Sequence, residues 1–213
     1  MIGKWNKSVI LSYIGLLFAL LGMGFALKGF DIKYALVCLI VAGLCDTFDG
    51  TVARRCKRTK EEKAFGIELD ALIDVFNFVA LPLVICMTMG LKTKYHLIIY
   101  AIYTIFAIAR LAYFNITLED DSKAIKYYTG LPVTYAAFFL PVFYLLSYVI
   151  DKNIFNYVYT GMMLFIGIWY ILKVKVPKPN LIASIFFLLL GIVVSILYLF
   201  VLWWKHIIEK LKN

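Results

Sequence analysis

The sequence predicts an all-α fold, a polytopic transmembrane helix bundle, with a single domain over residues 1–213. Three observations lead there. Hydrophobic residues make up 63% of the chain and charged residues only 16%, whereas a soluble domain runs nearer half apolar and a quarter charged. The apolar residues come in blocks rather than stripes, and several blocks approach the roughly 20 residues a helix needs to cross a bilayer. The alternating ten-residue pattern of a membrane β-barrel is absent.

Hydrophobic runs and polar punctuation mark seven membrane helices, within a range of about six to eight. They are Val9 to Leu27, Tyr34 to Phe48, Ala71 to Met89, Leu97 to Phe114, Leu131 to Ile150, Ile154 to Leu172 and Leu181 to Trp204. The second block is short on hydropathy, but helical periodicity continues through the polar stretch Asp46–Arg54. The third begins outside the membrane, near Glu61 or Lys63. No cleavage motif follows the first block, which reads as a retained helix.

Charge sets the orientation. The segment Arg54–Lys63 carries six basic residues, which marks that loop as cytoplasmic in a cell membrane. Alternation then places Lys4, Lys7, the Thr117–Tyr128 loop and the Lys173–Lys178 loop inside as well. Seven crossings leave the basic tail Lys205–Lys212 outside, against the bias. The net charge of +9 sits beside hydrophobic blocks, where it suits anionic headgroups and not nucleic acid. Cys38, Cys45, Cys56 and Cys86 lack CxxC spacing and read as packing residues.

The chemistry concentrates in residues 46–74. Asp46-Thr-Phe-Asp49-Gly50-Thr-Val-Ala53-Arg54 is followed, after eleven residues, by Gly66-Ile-Glu-Leu-Asp70-Ala-Leu-Ile-Asp74. Asp46 and Asp49 are i and i+3, and Asp49 and Ala53 are i and i+4, so each pair shares a helix face. Gly66, Asp70 and Asp74 run down one face of the next helix. A tight connection makes the two helices antiparallel neighbours, and four carboxylates converge just inside the membrane surface. Buried charges there demand partners, and only Arg54 and Arg110 are near. A hard divalent cation, Mg²⁺ or Mn²⁺, balances carboxylates at less cost. Two ions can bridge a diphosphate and serve both attacking and leaving oxygens. Gly50 and Gly66 remove side chains where a nucleotide must approach backbone.

DxxDGxxAR followed by GxxxDxxxD resembles the signature of the CDP-alcohol phosphotransferases (class I CDP-alcohol phosphatidyltransferases), and every fixed position is present. The resemblance implies that Asp46, Asp49, Asp70 and Asp74 hold a di-metal centre, with Asp74 also the base for the acceptor hydroxyl. It implies that Gly50, Ala53 and Arg54 line the CDP site, and that the protein is a homodimer. The gap between Arg54 and Gly66 is longer than usual in the family, which suggests a longer cytoplasmic turn. FGIELDALID at Phe65–Asp74, ARLAYFN at Ala109–Asn115 and YYTGLPVTYAA at Tyr127–Ala137 are similar to the phosphatidylserine synthase branch. That branch transfers the phosphatidyl group of CDP-diacylglycerol to L-serine and releases CMP. Asn77-Phe78-Val79 and Tyr113 depart from its pattern.

Arg110 lies inside an apolar run, where an arginine is expensive unless it faces a polar cavity. Near the cytoplasmic end of its helix, it is placed to meet a substrate phosphate or carboxylate, or to snorkel to headgroups. Glu119-Asp120-Asp121 reads as a solvated loop, His96 and His206 as interface residues, and Glu68, pointing away from the Asp70 and Asp74 face, as a surface residue or one that supports the site from behind. Three rivals remain open: the same chemistry on glycerol 3-phosphate or an inositol phosphate, a cation transporter using the aspartates as an ion path, and a non-catalytic membrane scaffold, which the intact signature disfavours.

Overall fold

The computed structural model describes residues 3–4, 6–119, 127–177 and 181–212, and it is helical almost throughout. Among these residues seven helices form one bundle: α1 (Lys7–Leu27), α2 (Ile32–Arg55), α3 (Lys60–Thr88), α4 (Lys94–Glu119), α5 (Val133–Tyr148), α6 (Lys152–Ile171) and α7 (Leu181–Lys212). Six are long and apolar enough to cross a membrane, so the protein is a multi-pass membrane protein.

α5 is the exception, at 16 residues where the sequence suggested 20. It still runs from one end of the bundle to the other. Thr134 near its start bonds Asp46 on α2, while Tyr148 at its end lies 5.8 Å under the Lys33 ammonium at the start of α2. Its first three and last four residues are 3₁₀ turns flanking an α-helical middle. A 3₁₀ turn rises more per residue, so the whole reaches roughly 27 Å, close to the hydrocarbon thickness. α7 is a single helix over Leu181–Lys212.

α2 and α3 extend past their hydrophobic blocks as the periodicity suggested. The expected longer turn between them is not there. Only Cys56–Thr59 connects them, and the extra residues are helix, the first turns of α3. The cause is a capping box: the Thr59 hydroxyl accepts from the Glu62 amide at 3.2 Å while the Glu62 carboxylate accepts from the Thr59 amide at 2.7 Å. The helix therefore starts at Lys60 and carries Gly66, Asp70 and Asp74 on rigid backbone.

Packing between helices depends on small residues, which let backbones approach in a membrane where lipid is as apolar as leucine. α1 turns Ser12, Gly15, Ala19, Gly22 and Ala26 inward, a stripe at helical spacing that packs on α2. α5 approaches α2 at Gly43, where a Cβ would fall 2.4 Å from the Cβ of Ala137. Midway along α3, residues Phe76–Ala80 form a π-helical turn. Pro82 has no N–H for the Phe78 carbonyl, its ordinary i−4 partner. The Tyr103 hydroxyl of α4 donates to that carbonyl at 2.6 Å instead.

One feature was not expected. Tyr127–Thr129 (β1) pairs antiparallel with Lys175–Pro177 (β2), tying together the two loops that precede α5 and α7. Asp120 and Asp121 of the acidic loop lie outside the described residues. His96, in the first turn of α4, is buried against Tyr95 and Tyr100, with its Nδ1 facing the Thr93 hydroxyl at 2.6 Å.

Candidate active site

Asp46, Asp49, Asp70 and Asp74 meet at one end of the bundle. Asp46 and Asp49 come from the last turns of α2, and Asp70 and Asp74 from the first half of α3. Asp46, Asp49 and Asp70 each offer an oxygen, all within 4.8 Å of one another. Asp74 stands just outside that trio, against Asp46, while Asp70 lies against Asp49. Asp49 and Asp74 are buried, and the other two are half-buried.

Two of the acids are held by hydroxyls from other helices. Ser12 of α1 donates to Asp49 Oδ2 at 2.8 Å, and Thr134 of α5 donates to Asp46 Oδ2 at 2.5 Å. Asp74 Oδ1, in contrast, is buried with no hydrogen-bond partner among the described residues. A buried carboxylate oxygen left in that condition is costly. The donor set is oxygen only, anionic and convergent, which fits a hard divalent cation such as Mg²⁺ or Mn²⁺.

A cavity opens on each side of the cluster. The first, about 300 Å³, is lined by all four aspartates, Gly50, Arg54, Arg110, Leu111, Phe114, Thr134, Phe138 and Phe187. The second, about 210 Å³, lies among α1, α2 and α3. Ser8, Ser12, Asp49, Gly50, Ala53, Arg58, Lys63, Gly66 and Asp70 line it. Asp49, Gly50 and Asp70 face both. The sequence reading grouped Gly50, Ala53, Arg54 and Gly66 as one subsite. The structure divides them, with Ala53 and Gly66 on the second cavity and Arg54 on the first.

Arg110 does face a polar cavity. It is 6% exposed, with its guanidinium 5.2 Å from the Phe114 ring. Tyr113, one of the two departures from the branch pattern, is half exposed on the outer face of α4 and lies off both cavities. Glu68 is exposed, as expected. Sequence reasoning missed Ser8, Ser12 and Thr134. For Ser12 a signal existed, because it begins the small-residue stripe of α1; Thr134 lies inside the Tyr127–Ala137 stretch that carries the resemblance, which gave it no role of its own.

Residues 5–209 match the CDP-alcohol phosphatidyltransferase family, and the chain belongs to it. Among characterised relatives, it is 37% identical over 100 residues to CDP-diacylglycerol–serine O-phosphatidyltransferase of Saccharomyces cerevisiae, covering 44% of this chain and 35% of the relative. It is 29% identical over 119 residues to archaetidylserine synthase of Methanothermobacter thermautotrophicus, covering 55% and 49%. The serine O-phosphatidyltransferase of Helicobacter pylori is 28% identical over 165 residues, covering 74% and 67%. The aligned stretches thus span between a third and a half of the first two relatives.

Proposed function

We propose that this protein is a CDP-diacylglycerol–serine O-phosphatidyltransferase, acting at the cytoplasmic face of the cell membrane as a homodimer. The observation that carries the reaction class is the convergence of four aspartates from two helices between two cavities. Serine as acceptor is supported by the relatives' activities, by the three motif stretches, and by Arg110 on the wall of the larger cavity. The basic loop Arg54–Lys63 supports the orientation.

The residues divide the work. Asp46, Asp49, Asp70 and Asp74 would hold two Mg²⁺ or Mn²⁺ ions, whose charge offsets that of the substrate diphosphate. The cytidine side of CDP-diacylglycerol enters the second cavity, where Gly50, Ala53 and Gly66 leave room for it, and the acyl chains stay in lipid. Serine enters the first cavity. Arg110 pairs with its carboxylate in a planar, charge-assisted contact. Asp74, whose Oδ1 is committed to no hydrogen bond, takes the proton of the serine hydroxyl. The serine oxygen bonds the β-phosphorus as the bond from that phosphorus to the CMP oxygen breaks. Phosphatidylserine and CMP result. The protein contributes positioning and electrostatics and forms no covalent intermediate.

The test is an acceptor panel. Purified protein with CDP-diacylglycerol and Mn²⁺ is expected to release CMP with L-serine at least about tenfold faster than with glycerol 3-phosphate or inositol phosphate. Faster release with either of those would replace serine as the acceptor. Cation flux through proteoliposomes lacking nucleotide, with no CMP release from any alcohol, would replace the enzyme reading altogether.

A further inference from the structure

α5 contributes no acidic residue, yet its first turn reaches the acid cluster. Thr134 donates from Oγ1 to Asp46 Oδ2 at 2.5 Å across 88 residues of sequence, and it borders the larger cavity beside Arg110. What holds Thr134 there is not α2 alone. The Leu131 amide donates to the Trp169 carbonyl at 3.1 Å, and the Gly130 amide to the Val174 carbonyl at 2.8 Å. The Tyr170 hydroxyl donates to the Val133 carbonyl at 3.3 Å. Gly130 sits at φ +80°, and a Cβ there would fall 2.6 Å from the Tyr170 carbonyl oxygen, so this chain entry admits only glycine. The first turn of α5 is therefore bolted to the end of α6, and it presents one hydroxyl to Asp46.

We infer that Thr134 is a positioning residue for the metal site. By occupying one oxygen of Asp46 it fixes the plane of that carboxylate and directs its remaining lone pairs toward Asp49 and Asp70. Residues that orient metal-binding carboxylates in this way typically change metal affinity or activity by about 10- to 100-fold when lost. The rival is that the bond only docks α5 on α2. The Gly43–Ala137 contact already does that, one turn deeper. The inference rests on the reading that the aspartates hold divalent ions, but not on which alcohol is the acceptor.

The discriminating measurement is Mn²⁺ binding to detergent-purified protein without substrate, followed by the electron paramagnetic resonance of free Mn²⁺. Thr134→Val keeps the shape and removes the donor, and it is expected to weaken Mn²⁺ binding at least about tenfold. Thr134→Ser keeps the donor and should bind Mn²⁺ within about twofold of the parent chain. CMP release should follow the same order and recover in Thr134→Val at raised Mn²⁺, with the KM for serine unchanged. Equal Mn²⁺ affinity in Thr134→Val and the parent overturns the inference, as does a Thr134→Ser as weak as Thr134→Val. If Thr134→Val does not elute as folded protein, Thr134→Ala is compared with Thr134→Ser, and equal affinities overturn it again. A parent chain that binds no Mn²⁺ removes both this inference and the metal reading. A parent that binds Mn²⁺ but prefers glycerol 3-phosphate removes only serine.

Discussion

The two ends of the bundle use aspartate in opposite ways. At the end away from the site, Asp31 and Asp151 each cap their own helix, accepting from the amide two residues on at 3.2 and 2.8 Å. Asp31 also pairs with the Lys33 ammonium, 3.0 Å from each of its oxygens. Everything these acids need lies within two residues. At the site end, four acids from two helices face one another, and their partners come from 37 and 88 residues away. Among the described residues, the ion pairs Lys33–Asp31 and Lys4–Glu61 lie away from the cluster. An acid that serves the fold is satisfied locally. Four acids that are crowded together and satisfied only in part could hold a cation.

The largest test of this contrast removes charge from the cluster while keeping shape. Asp49→Asn and Asp70→Asn should each lower CMP release by a factor on the order of 1,000 while membrane insertion and elution stay unchanged. Asp49 and Asp70 border both cavities, so under the proposed reading both substrates would meet them. Near-normal turnover in either variant would mean that the cluster is not the reaction centre.

Local spacing made the cluster legible in the sequence. Asp46 with Asp49, and Gly66 with Asp70 and Asp74, share helix faces by arithmetic alone, and the short basic connection makes the helices antiparallel. The long-range polar contacts themselves were not legible: the small-residue stripe turns Ser12 inward and the motif stretch includes Thr134, but neither pattern says which acid the hydroxyl meets. The capping box at Thr59 and Glu62 was present in the sequence, and it explains why the long gap became helix instead of turn. The π turn was foreshadowed only by Pro82, which says that a carbonyl is freed without saying what will bond it. The split of α5 into 3₁₀ and α segments lets 16 residues reach across the bundle, a distance that no local pattern records.

Arg110 sharpens the comparison on the basic side. Lys33 is buried beside an acid on its own helix end, whereas Arg110 is buried on a cavity wall facing acids of other helices. Arg110→Lys keeps the charge but loses the planar fork, and it should raise the KM for serine by about tenfold with a smaller change in kcat. An unchanged serine KM would return Arg110 to a packing role against Phe114.

The smallest effect is expected where the acid serves only the fold. Asp31→Ala removes an N-cap and strips the ammonium of Lys33, a residue only 9% exposed, of its carboxylate. The cap alone contributes about 1 kcal/mol. An unfolding midpoint lower by roughly 2–4 °C in detergent is the corresponding shift for a chain of this size. Mn²⁺ affinity and CMP release per folded molecule should not move, because neither residue lines either cavity beside the cluster. Should Asp31→Ala instead weaken Mn²⁺ binding as strongly as Thr134→Val, the two ends would be coupled through the bundle, and the division between structural and reactive aspartates would fail.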